Sequence, residues 1–566
     1  MKKDKEYLNY FNLLLLSASA GIILFLFVLF LLSFTGFIFH ISIQKVYIFI
    51  SLITVEIFLY FFNKNHFLSH KFFLLQNFSL FLIFCISFLL AYFFYDFSYD
   101  GRQYHQETII LLSNNWNPIF EKPFFDYLTP SIWVEHYQKC TEILSANFVL
   151  LFNNIEVGKI INYLFANSIF CLSFFTFNKF KSSSTLFNFI LSVLILLNPV
   201  SLVQIRTYYS DIIVYYLFIG ILFTMILKEK KFINEKLFLF LYISQITMLC
   251  NIKLGGLFYS IILVLFYFIY SLIIKKYTNF KPILRIITIS GVLILLSGIN
   301  PYFTNIKQGY HPFYPLVGSN KIDIITENSP KNFKHKNPFY KLFISTFSNT
   351  ENILLYNTDD NPKLKIPFSI TNQGNFYTND VRIGGFGYYW SGILLLLIPF
   401  VRTYKNSINE ENKIYYFVIT TLWLSVLLNP VSWWARYVPQ FWLIPIFIIF
   451  WKSLNKDKTF QLKRFSFILI LFLFINSLIV EFQSLKSAIS FSKIRKEFFT
   501  EVKNKNISIF INSSNEKETL YYKLTKTAAK VNKITFDEYI QDKDKFKNIP
   551  CLLPCNNQIG VFKVND

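Results

Sequence analysis

Between Phe93 and Phe120 the chain reads FFYDFSYDGRQYHQETIILLSNNWNPIF, so Asp96, Asp100, His105 and Glu107 follow directly on a long apolar run. Carboxylates and an imidazole gathered this closely suit two kinds of chemistry. One of the acids could act as a general base toward a hydroxyl. Alternatively, the oxygen and nitrogen ligands could hold a divalent cation such as Mg2+ or Mn2+, and the residues alone leave the metal open. Asp100 is the first candidate for the base and Asp96 the second, with His105 and Glu107 as supporting groups or metal ligands. Asp100 also has a plainer reading as a helix N-cap, because Gln103 stands where a capping box wants it.

Cations scattered through apolar surroundings form a second set: Lys253 in LCNIKLGG, Arg436 in NPVSWWARYVP, Arg206 in VQIRTYYSD and Arg382 in NDVRIGGFG. A cation at a membrane boundary is costly unless something compensates it, so these four are candidates for holding a phosphate. The alternatives are snorkelling to headgroups and pairing with a structural acid such as Asp211. Aromatic side chains that could stack on a sugar or contact an acceptor are Tyr310, His311 and Tyr314 in GYHPFYPLVG, together with His136 and Trp434. Their plainer readings are a packed plug for the GYHPFYPLVG turn and a membrane-interface belt for Trp433 and Trp434. Glu135, His136 and Lys139 fall off the apolar stripe of a helix predicted over SIWVEHYQKCTEILSANFVLLF, and so read as its solvated face. IGGFG lacks the spacing and the strand–helix setting of a dinucleotide fingerprint. Cys551 and Cys555 in CLLPC lack a second ligand pair for zinc, which leaves a local disulfide if that segment meets an oxidising compartment.

The elements that must position these residues are set by composition. The 566 residues are 54% hydrophobic and only 16% charged, which places the chain in the membrane class. A net charge of +22 would ordinarily raise nucleic acid as a partner, but the lysines sit in short loops between apolar spans, as the positive-inside rule requires. Apolar runs near 10–38, 43–62, 72–95, 155–177, 184–199, 209–227, 237–251, 255–274, 283–299, 388–402, 414–429, 438–451 and 465–480 predict about thirteen spans. The first is a transmembrane helix and not a removed signal peptide, since no small-residue cleavage site follows it. With a cytoplasmic N-terminus, about 23 Lys and Arg fall in the inner segments, whereas the short outer loops hold only Lys45, Arg206, Lys253 and Arg436. Residues 96–154, 300–387 and 481–566 then lie outside. The predicted organisation is a membrane domain over 1–480 and a small soluble α/β domain over 481–566, in which NEKETLYYKLTKTAAK is helix-like and NISIFI and KITF are strand-like.

Two short interfacial helices carrying acids and aromatics, just outside an early span, resemble the first outer loop of the GT-C superfamily of integral-membrane glycosyltransferases. That superfamily includes protein O-mannosyltransferases and the aminoarabinose transferases that modify lipid A. YDGRQYHQ, HPFYPLVG, DVRIGGFG and NPVSWWARYVP are similar to signatures of a bacterial branch of GT-C-like proteins. The resemblance implies an all-α GT-C-like bundle in a bacterial inner membrane. It also implies transfer of a sugar from a polyprenyl-phosphate donor to a glycan, lipid or protein acceptor on the outer face. The adjacent acidic pair of the mannosyltransferases is absent, because Asp96 and Asp100 are four positions apart. A polymerase or ligase using lipid-pyrophosphate glycans is the alternative within this class. A transporter or lipid flippase would instead show ionisable residues in mid-span and two matching halves. A non-enzymatic scaffold of envelope assembly is the third reading.

Overall fold

The computed structural model describes residues 2–65, 69–124, 131–180, 184–275, 281–350, 362–370, 376, 378–402, 410–454, 460–511, 517–528, 530–533 and 559–563. Three long helices open the chain: α1 (Lys2–Ile38), α2 (Val46–Asn65) and α3 (His70–Phe93). The first long loop carries a π-helical turn over Gly101–His105, then α4 (Gln106–Ser113), α5 (Ile132–His136) and α6 (Cys140–Phe152). A 3-10 turn at Ile155–Lys159 leads into α7 (Ile160–Lys179), followed by α8 (Thr185–Leu196), α9 (Pro199–Gln204), α10 (Asp211–Glu229), α11 (Glu235–Cys250), α12 (Leu254–Lys275) and α13 (Lys281–Ser297). The second long loop contains the short helices α14 (Thr304–Lys307), α15 (Ile324–Glu327) and α16 (Pro338–Phe347). The remaining apolar helices are α17 (Trp390–Arg402), α18 (Glu410–Leu427), α19 (Leu443–Ser453) and α20 (Phe460–Glu501).

The chain is a predominantly helical membrane protein. Among the described residues seven helices are long and apolar enough to cross a bilayer, or eight if α13 and the segment after its 67° bend count as one span. These coincide with expected spans one to four, six, eight, nine and thirteen. The other expected spans are shorter helices: α8, α17 and α18 are apolar but brief, α11 has 16 residues and α19 has 11. A helix of 12 residues such as α8 is roughly 18 Å long, against a hydrocarbon core of about 30 Å. An apolar run reports composition, whereas helix length depends on where caps and breaks fall. In α8 that break comes at Asn198, whose side chain caps α9 at Val200 ahead of Pro199.

Burial sorts the long helices into inner and outer ones. α10 is buried over 94% of its apolar window and α3 over only 11%, so α10 lies at the centre and α3 presents itself to lipid. α1 packs along α2 and α7, and α10 packs along α7 and α11. α3, α12 and α20 leave large apolar side chains such as Phe81, Ile261 and Phe467 exposed, as lipid-facing helices do.

One expectation changes at the chain's later part. The boundary placed between 480 and 481 falls inside α20, which continues for 42 residues through EFQSLKSAISFSKIRKEFFTE without a glycine or proline to stop it. Beyond it, β1 (Asn506–Ile511), α21 (Lys517–Thr525), β2 (Lys530–Lys533) and β3 (Ile559–Lys563) form a helix and a sheet of order β2-β1-β3. β1 pairs parallel to β2, with Asn506 opposite Lys530, and antiparallel to β3, with Ile507 opposite Lys563. Cys551 and Cys555 lie outside the described residues.

Candidate functional site

Asp100 is not a helix cap. Its φ of −60° and ψ of −38° are already helical, and its side chain makes no capping bond. The turn before it is closed by Ser98, whose backbone N–H donates to Asp96 Oδ1 at 2.9 Å and whose hydroxyl accepts from Gly101 N–H at 3.2 Å. Gly101 is required there, because a Cβ would run into the Asp96 carboxylate and the Ser98 hydroxyl. The close turn leaves the Asp100 carboxylate pointing away from its own helix, and Arg436 Nη1 donates to its Oδ2 at 3.0 Å.

Arg436 is positioned by backbone pairing between two distant segments. Arg436 N–H donates to Val381 O at 3.1 Å and Ala435 N–H to Arg382 O at 3.2 Å. The turn that follows Arg382 needs Gly384, whose φ is +61° and which packs against the carbonyls of Ser348 and Asn349. This pairing sets Arg382, Arg436 and Asp380 side by side. Asp380 Oδ2 accepts from Arg382 Nε at 2.9 Å, while its Oδ1 accepts from Trp434 Nε1 at 2.9 Å and faces Arg436 Nε at 3.3 Å. The Arg436 guanidinium lies 5.0 Å from the ring centres of Tyr209 and Trp434 and 5.1 Å from that of Tyr437. Lys253, in the turn between α11 and α12, sits 5.1 Å over the same Tyr437 ring and is ion-paired with Asp211 at the start of α10. Burial alone would lower Arg436; Asp380, then Tyr437 and Asp100, outweigh it and hold the guanidinium well above its ordinary value. Burial first, and then the nearby Arg436, lower Lys253 to about 7, although Asp100 and Asp380 act in the opposite sense.

The structure therefore brings Asp100, Arg436, Arg382 and Lys253 into one cluster and adds Asp380, Tyr209 and Tyr437. It does not bring the other candidates there. Asp96 is 1% exposed and accepts from Gln106 Nε2 at 2.9 Å, next to the Glu156–Lys159 pair. Burial first, with Glu156 adding to it against Lys159, raises its pKa above the ordinary 3.8. Arg206 is bound to Glu481 on α20 and lies over Phe94. Trp433 and Trp434 are each 1% exposed, so neither belongs to an interface belt. The Trp434 indole is covered by Arg382, 4.5 Å from its centre, and by Arg436, which leaves no open face for a sugar.

His105 Nδ1 meets Glu142 Oε1 at 2.5 Å, and the pair lines a small cavity with Tyr208, Tyr209 and Ser210. Glu107 is buried in α4. Among the described residues no three His, Cys, Asp or Glu side chains come together as a metal site would require.

A second group forms beside α5. The helix predicted across SIWVEHYQKCTEILSANFVLLF is broken at Tyr137–Lys139, because Lys139 Nζ turns back onto the carbonyls of Glu135 (3.0 Å) and Tyr137 (2.7 Å) and reaches Asn300 Oδ1 at 2.7 Å. His136 and Lys139 are buried and not solvated. His136 Nδ1 meets Asn305 Oδ1 at 2.7 Å, and its ring stands edge-on to Tyr314 (4.8 Å) and Tyr310 (5.3 Å), which stack on each other at 4.2 Å. His311 is exposed and accepts from Phe313 N–H within its own turn.

Asp380 and Tyr209 escaped the sequence reading. Their signals were present: Asp380 stands two positions before Arg382 in a glycine-rich motif, and Tyr209 two before Asp211. Compared with known proteins, the chain matches no family model and none of the curated proteins.

Proposed function

We propose that the protein is a GT-C-type membrane glycosyltransferase that moves a sugar from a polyprenyl-phosphate donor to a glycan, lipid or protein acceptor. The observation carrying this reading is the Asp100 carboxylate seated on Arg436, with Lys253 over the same tyrosine ring. An acid beside two cations at the edge of an apolar bundle suits a reaction that takes a proton at one end and releases a phosphate at the other. We also read the brief helices α8, α11, α17, α18 and α19 as spans, making about thirteen. The N-terminus is then cytoplasmic, and the β1–β3 sheet lies on the outer side of a bacterial inner membrane.

In this mechanism the donor phosphate arrives at Arg436 and Lys253 and takes over the guanidinium that Asp100 holds. Asp100, released, accepts the proton of the acceptor hydroxyl. The acceptor oxygen forms a bond to the sugar's anomeric carbon while the bond from that carbon to the phosphate oxygen breaks, and the electron pair leaves with the polyprenyl phosphate. Asp380 and Trp434 keep Arg436 aimed throughout. The His136–Tyr310–Tyr314 group offers edges and a ring face for a sugar or acceptor.

The test uses purified protein in nanodiscs with polyprenyl-phosphate sugars. Asp100→Asn should lower transfer by a factor on the order of 100 or more, the usual worth of a general base. It should also bind the polyprenyl phosphate product more tightly, because that carboxylate no longer competes for Arg436. Full activity in this variant would remove Asp100 as the base, and unchanged product binding would remove the exchange at Arg436.

A further inference from the structure

A second cationic recess lies outside the Arg436 cluster, where the first loop meets the far half of α20 and α21. Its walls carry three cations, Arg102, Arg495 and Lys523, and one carboxylate, Asp96. Arg102 and Arg495 lie 5.7 and 5.1 Å from the centre of one ring, Phe491, so two like charges are held on a single aromatic. Arg102 is braced by its Nε, which donates to Ser98 O at 3.1 Å. Lys523 is braced by Glu156 Oε1 at 2.6 Å and lies 5.4 Å over the Tyr95 ring. Burial first, and then the nearby Arg102, lower Arg495 to about 10, against the opposite pull of Glu156 and Tyr95. The recess has room for one water at most, so an entering anion must displace the arginine side chains and draw them around itself, which their length permits.

We propose that this recess binds a phosphate group, carried by a lipid headgroup or free in solution, at a site distinct from the Arg436 cluster. A dianion placed between two guanidinium groups converts their repulsion into paired, charge-assisted hydrogen bonds, for which planar forks are suited. The site is next to the end of α3, where that helix leaves its apolar span at Phe93. Phe491 and Tyr95 supply the apolar flank that a headgroup at this level would meet.

The experiment places the full chain in phosphatidylcholine nanodiscs with Arg436→Gln as background, so that binding at the first cluster is silenced and no transfer reaction is needed. Calorimetry with inorganic phosphate and pyrophosphate reads a soluble ligand, and native mass spectrometry after exchange with phosphatidylglycerol reads a retained lipid. Binding in either arm is expected, and which arm responds names the source. Adding Arg102→Gln and Arg495→Gln should weaken that binding at least tenfold. If this pair does not fold, Arg102→Lys with Arg495→Lys keeps the charge, loses the forks and should still weaken it severalfold. Absence of binding in both arms, or equal binding by the arginine variants, overturns the proposal. Neither result bears on Asp100 as a base, since the donor reaction is not measured.

Discussion

Arg436 holds two aspartates from distant parts of the chain, and the shape of its side chain is what allows it. Nη1 serves Asp100 while Nε faces Asp380, and three rings enclose the guanidinium plane. A lysine has one compact charge and no fork, so Arg436→Lys keeps the charge and loses one of the two acids. Donor-saturation curves should then show at least a tenfold loss of kcat/KM at unchanged thermal midpoint; an unaltered curve would count against Arg436 as the phosphate anchor. Asp96 behaves differently. Its folded pKa is raised above 3.8, so between those two values the folded protein keeps a proton that the unfolded chain has lost. Stability contributed by the protonated acid is present below this window and falls as pH rises through it. Asp96→Asn should flatten that part of the pH dependence of unfolding and leave transfer within a few-fold of wild type; loss of transfer comparable to Asp100→Asn would restore Asp96 as a base. The types of these residues were legible in the sequence, because ionisable side chains stand out in an apolar chain. Their pairing was not, because Asp100 and Arg436 are 336 positions apart and nothing local encodes the contact.

At the scale of elements, the turn from Ser98 to Gly101 decides where Asp100 points. Gly101→Ala places a methyl group against Asp96 and Ser98, and overpacking of this kind costs about 1–3 kcal/mol. A lowered thermal midpoint together with reduced transfer is the expected result, and an unchanged midpoint would mean the turn adapts. The break between α5 and α6 shows why part of the first loop was illegible. The stripe Trp133, Tyr137, Cys140, Leu144, Phe148 and Leu151 predicts one continuous helix, and α6 keeps its later half. The break depends on tertiary partners: Cys140 N–H donates to Asn251 O at 2.9 Å, and Lys139 reaches Asn300. Such partners override local propensity, and periodicity cannot report them.

Across the whole molecule, long apolar runs and loop charges were legible because both follow from composition. The length of each helix was not, which is why α20 outran its expected end. Beyond Val480 α20 is fastened to the rest of the chain at several heights. Glu481 grips Arg206, Gln483 Nε2 donates to Tyr388 Oη at 2.8 Å, and Ser492 Oγ accepts from Tyr95 N–H at 2.9 Å. α21 is tied in through the Lys523–Glu156 pair, so Lys523→Met should speed proteolysis between Glu501 and Lys517 severalfold; an unchanged cleavage rate would mean the sheet is held by other contacts. The 42 residues of α20 give a contour of roughly 63 Å, about twice the hydrocarbon core. A rod of that length, held below Glu481 by Asn476 and Ser477 and above it by Gln483 and Ser492, is a single splint that runs from the apolar bundle to the C-terminal sheet, so the register of the one fixes the place of the other.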